Sequence, residues 1–117
     1  MQSYENVLML RTSFKFAIDV MDFHDELIDQ KKAPIAKRIL KSTLAGLCEM
    51  QKAMIADRSS TYREATLAAV INFKNVVYWM QQCEKSGYLF NEILMKKAVE
   101  ILNYCQVKLP DDAFDAQ

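Results

Sequence analysis

Glycine and proline are scarce in this chain, two of each in 117 residues. A sheet protein of this length reverses direction many times, and its turns draw on Gly, Pro, Asn and Asp. With so few breakers, only a handful of connections can join long elements, which argues against an all-β chain and for helices. Histidine and tryptophan occur once each. Cysteine occurs three times, an odd count, and Cys48, Cys83 and Cys105 all lie within apolar periodic segments. They read as buried, reduced thiols of a cytosolic protein and not as a disulfide framework. No apolar run approaches the roughly 18 residues of a membrane span. The opening MQSYENVLMLRTSF lacks a basic segment followed by an apolar one, so it does not read as a secretion signal. The expectation is a cytoplasmic protein that does not enter a membrane.

What is present is an ordinary globular balance, 51% hydrophobic and 26% charged, in a length that suits one domain with its own core. Fifteen basic and fifteen acidic residues cancel, but unevenly. The end of the chain, PDDAFDAQ, holds three aspartates and no base, which leaves residues 1–108 with 15 bases against 12 acids. That is mildly basic, short of the charge of a dedicated nucleic-acid binder.

Periodicity divides the chain into four amphipathic helices. The first covers about 8–30, with Leu10, Phe14, Ala17, Met21 and Ile28 taken as its main stripe and Phe16, Val20, Phe23 and Leu27 beside it. Pro34 opens the second, about 34–56, where a missing N–H costs nothing. Its stripe is Ala36, Leu40, Thr43, Leu47, Met50 and Met54, and Gly46 inside it implies close approach of a neighbouring backbone. Thr61 and Glu64 have the spacing of a capping box at the start of the third, about 61–86. That helix carries Thr66, Ala69, Phe73, Val76, Met80 and Cys83 and stops at Gly87, a left-handed cap position. Asn91 caps the fourth, about 92–107, with Leu94, Ala98, Ile101 and Cys105 inward. Short connections make neighbours antiparallel, so residues 1–109 are expected to form an all-α, up-down-up-down antiparallel four-helix bundle, and 110–117 a flexible acidic tail.

Bundle cores can host di-metal carboxylate sites, but these need glutamates from four helices and E-x-x-H motifs on two. Here there is one histidine, His24, and no glutamate three residues before it. No metal and no cofactor is expected, and His24 reads as a core-edge residue. The two glycines stand far apart, so no phosphate loop exists. No cysteine has an evident base, and no catalytic residue is assigned. Asp19, Asp22, Glu26 and Asp29 form an acidic stripe on the first helix. Lys31, Lys32, Lys37, Arg38 and Lys41 put five cations in eleven residues with no acid between them. They are candidates to contact nucleic-acid phosphates or a protein partner, including the acidic stripe of a neighbouring helix or subunit. Tyr78 and Trp79 flank the third stripe; Trp79 covers the core edge, or the pair belongs to a subunit interface.

With the helices placed, several stretches resemble a known family. SFKFAIDVMDF, AKRILKSTLAGL with its Lys41-Ser42 pair, and REATLAAVINFKNVVYWMQQCEKSGYL with its Y-W and S-G-Y features are similar to the bacterial four-helix-bundle proteins typified by those encoded within intervening sequences of 23S rRNA genes. The likeness covers about residues 8 to 107, and the accessory proteins of diversity-generating retroelements resemble it more distantly. Where the family carries an asparagine and a glutamate, this chain has Glu49 and Lys52, and it lacks the strong basicity of the retroelement proteins. The resemblance implies a cytosolic, non-enzymatic protein that assembles into rings, commonly pentamers, with ribonucleoprotein association in parts of the family. The functional expectation is a homo-oligomeric scaffold or adaptor for a protein or nucleoprotein. The alternatives are a weak, sequence-independent nucleic-acid-binding accessory protein and, third, an enzyme using a bundle cavity.

Overall fold

The computed structural model describes residues 4–108; the expected tail at 110–117 lies outside them. Four helices follow in order: α1 Tyr4–Asp29, α2 Ala33–Ile55, α3 Ser59–Lys85 and α4 Glu92–Lys108, with no strand among the described residues. Each helix packs on its neighbours in sequence, most extensively α2 on α3, and α4 closes back on α1. Helices of 26 and 27 residues span about 40 Å at 1.5 Å per residue, consistent with the 44 Å long axis of the molecule.

The ends are fixed by backbone geometry. At the end of α3 Gly87 adopts φ 72°, its N–H bonds to Glu84 O at 3.2 Å, and the Tyr88 N–H bonds to Cys83 O at 2.9 Å. This is the paired bonding of a Schellman cap, which satisfies two otherwise orphaned carbonyls. Leu89 then folds back onto the core, as expected. The end of α1 repeats the device without a glycine. Lys31 takes φ 64° and bonds to Ile28 O at 2.9 Å, while the Lys32 N–H bonds to Leu27 O at 2.8 Å. Asn91 caps α4 as expected, its Oδ1 accepting the Leu94 N–H at 3.0 Å.

Three local expectations give way. The helix α3 begins at Ser59, with Arg58 as its N-cap and no side-chain cap bond. Ser59 and Ser60 enter the first turn, so Thr61 lies inside the helix and the Thr61–Glu64 capping box does not form. Cys48 is exposed, while Cys83 and Cys105 are buried. Gly46 is close to a ring and not to a backbone: a Cβ there would lie 2.8 Å from Cε2 of Phe73.

The core runs through Phe16, Val20, Phe23 and Leu27 of α1, Ile39 and Met50 of α2, Phe73, Val76 and Met80 of α3, and Leu94, Ala98 and Ile101 of α4. The inward stripes expected for α3 and α4 are buried throughout. On α1 the order is reversed. The stripe beside the expected one is buried, whereas of the expected stripe Ala17 is buried, Leu10 half-buried, and Phe14, Met21 and Ile28 exposed. Apolar residues cover well over half of this helix's circumference, more than one bundle seam uses, and periodicity alone does not choose between two apolar sides. The buried hydroxyls are satisfied along their own helices: Ser13 donates to Met9 O, Thr43 to Ile39 O and Thr66 to Tyr62 O, at 2.7–2.8 Å.

Candidate interaction surfaces

The five cations of the basic stretch do not form one patch. Lys31 occupies the left-handed turn after α1 and is exposed. Lys32 lies 4.4 Å from the centre of the Tyr88 ring, and Arg38 lies 4.9 Å from that of Trp79. Both cations thus lean over aromatic faces on the α3 side, the geometry of cation–π attraction. Lys37 and Lys41 are exposed and point elsewhere. Along α2, position 38 lies about 100° around the helix from 37, so Arg38 faces α3 while Lys37 and Lys41 stay on the outer side.

The aromatic pair is divided in the same way. Trp79 packs against the core, partly buried, with Arg38 over its ring. Tyr78 meets it edge-on, ring centres 4.9 Å apart, and is itself half exposed. Trp79 therefore joins α2 to α3 within one chain, and Tyr78 is the member free to face a partner.

Titratable chemistry is sparse. His24 Nδ1 lies 3.0 Å from Asp25 Oδ1, the satisfied core-edge histidine of the sequence reading. Among the described residues no group of three His, Cys, Asp or Glu side chains could hold a metal ion. Burial pushes the Cys83 thiol up and the Cys105 thiol up to about 12, so both stay protonated at neutral pH and lack thiolate character. Cys105 lines a cavity of about 210 Å³ at one end of the bundle, together with Met50, Tyr62, Thr66, Tyr104 and Lys108. At this end the Tyr104 hydroxyl bonds to Asn6 Oδ1 and ties α4 to the first turns of α1. Burial also raises Tyr104, to about 12, which keeps it a neutral donor.

The surface that sequence reasoning missed is the outer side of α1, where Phe14, Ile18, Met21 and Ile28 are exposed. Its signal was the excess width of the apolar arc, which exceeds what one core seam can bury.

The fold is thus an all-α, up-down-up-down antiparallel four-helix bundle presenting exposed apolar and charged surfaces. Among solved structures it is similar to a protein of unknown function from the S23 ribosomal protein family of Bacteroides thetaiotaomicron, with a TM-score of 0.81 over 87% of this chain and 95% of that one, at 18% identity. The two share a fold, and the resemblance read from the sequence is to the same kind of bundle. No family model and no curated protein matches the chain.

Proposed function

We propose that this chain is a non-enzymatic, homo-oligomeric scaffold or adaptor of the cytoplasm that binds a protein or nucleoprotein partner. The observation that carries this reading is the exposed apolar side of α1, in a molecule whose buried thiols are held protonated and whose histidine is engaged by its neighbour. Exposed contiguous apolar side chains on a small protein mark association surfaces. A pentameric ring is the assembly that the sequence resemblance favours, and the family name of the structural neighbour makes a ribonucleoprotein the first partner to test.

Capture of partners from the native host, with and without nuclease, tests the reading. A protein partner retained after nuclease treatment supports the adaptor. Catalytic turnover by the purified chain, or the absence of any self-association, refutes it.

A second reading, weak sequence-independent nucleic-acid binding, draws on Lys37 and Lys41, exposed side by side on one face of α2. Ring assembly would repeat them and sum individually weak phosphate contacts. Here Lys37→Glu/Lys41→Glu should abolish RNA retention at low salt; equal retention across a salt titration removes these lysines from any such role.

A further inference from the structure

Phe14, Ile18, Met21 and Ile28 fall within an arc of roughly 80° on α1, at 3.6 residues per turn. They remain 44, 61, 42 and 37% exposed. The arc lies on the flank of α1 next to α2, since Ser13, on that side, reaches Met50 Sδ at 3.4 Å. On α2, Arg38 and Gly46 are turned to α3. Leu44 projects from the opposite flank, toward the α1 stripe, and is 42% exposed.

Two charged edges border this apolar band. Beyond the α1 stripe, on the side of α4, lie Asp22 and Glu26, which share a surface hollow with Ile93 and Lys97. Beyond Leu44 on α2 lie Lys37 and Lys41, both exposed. The heights of these groups are fixed by the Ser13–Met50 contact. Counting equal rises in opposite directions from that level sets Ile18 beside Leu44, Asp22 level with Lys41 and Glu26 level with Lys37. None of these four charges makes an ion pair among the described residues.

Asp25 enters the arc between Met21 and Ile28 but is engaged by His24 at 3.0 Å. The rest of the face reads acid, apolar, base, with Asp22 and Glu26 at the height of Lys41 and Lys37. It complements itself only when two copies lie with like ends together; reversing one copy would carry its charges to the other end, away from their counterparts. Building on the homo-oligomeric reading above, we propose that this face receives a second copy of the chain. In the contact α1 of one copy lies against α2 of the next, Asp22 opposite Lys41 and Glu26 opposite Lys37, and the stripe around Ile18 closes over Leu44. The contact occurs twice across a two-fold axis or once per junction in a ring.

The size fits. Five large apolar side chains at these exposures, of roughly 180 Å² each, present roughly 400 Å². A standard interface takes about 800 Å² per partner, with an apolar centre and a polar rim. The band supplies the centre and the charged edges the rim.

The test compares the size in solution of wild type and four variants, each checked for helical content by circular dichroism. Ile18→Asp is expected to leave a folded 13.5 kDa species, and Phe14→Lys serves as a second disruption should Ile18→Asp unfold. Asp22→Lys/Glu26→Lys should raise the dissociation constant at least tenfold. Adding Lys37→Asp/Lys41→Asp to that variant swaps both edges and should restore association. A monomeric wild type overturns this proposal and the homo-oligomeric reading together. An oligomeric wild type whose folded Ile18→Asp and Phe14→Lys variants assemble equally well leaves that reading standing and removes this face from it. Loss on charge reversal without recovery in the swapped variant overturns the pairing.

Discussion

Lys31 holds a conformation that L side chains seldom adopt. Its φ of 64° places it in the left-handed region where the cap after a helix prefers glycine, at a cost of about 1–2 kcal/mol for a residue with a Cβ. Its charge recovers part of this beside the negative end of α1, about 0.3–1 kcal/mol. Lys31→Gly should therefore raise stability modestly, by about 0.5 kcal/mol, measured as the urea midpoint; a clear fall would mean that the charge outweighs the strain. Gly87, in the same role, was legible because the residue type announces the conformation, whereas nothing in Lys31-Lys32 does. Cys105 yields a second residue-scale prediction. Its ordinary value is 9.0 and burial raises it to about 12. Between those values an unfolded chain has lost the proton that the folded chain keeps. Stability from this group is thus complete below about pH 9 and falls as pH rises, by up to about 1.4 kcal/mol per pH unit. Denaturant midpoints from pH 7 to 10.5 should decline above pH 9, less steeply in Cys105→Ala. A midpoint constant to pH 10.5 would show that the buried thiol ionises freely.

Helix by helix, legibility follows how much of the circumference is apolar. On α3 the stripe from Thr66 to Cys83 is flanked by polar positions such as Lys74 and Asn75, so one face was available and one face is buried. On α1 two apolar stripes compete, and tertiary packing makes the choice that local pattern cannot. The capping-box reading of Thr61 and Glu64 failed for a related reason, because Ser59 and Ser60 tolerate the helical turn that shifts the start upstream. Gly46 shows why sequence could flag a close approach without naming it. Alanine there would gain about 1 kcal/mol in helix propensity but would place a Cβ 2.8 Å from the fully buried Phe73 ring. Overpacking of this kind costs about 1–3 kcal/mol. Gly46→Ala should therefore lower stability by about 1 kcal/mol and cost less in a Phe73→Leu background. Additive effects in that double-mutant cycle would remove the ring as the cause.

For the molecule as a whole, two unlike contributions to assembly can be separated by magnitude. Roughly 400 Å² of apolar surface removed from water on each copy is worth about 10 kcal/mol before the cost of association. An exposed ion pair contributes about 0.2–1 kcal/mol and weakens with salt. If copies associate through α1 and α2, the apolar band holds them together and the charged edges select like ends over the reversed pairing, as charge generally sets orientation more than strength. The bundle was legible in the chain because four amphipathic periods and their breaks determine it. The exposed face was not, because whether an apolar residue meets its own core or another molecule depends on which helix lies beside it. The division of labour has a measurable form. Between 50 mM and 500 mM salt the dissociation constant of wild type should rise less than tenfold, since a few exposed pairs are screened and the apolar contact is not. Ile18→Asp should remain dissociated across the same range. A wild-type assembly that falls apart at 500 mM salt would place the binding energy in charge, and the Lys37 and Lys41 edge, not the Ile18 stripe, would then be the principal contact.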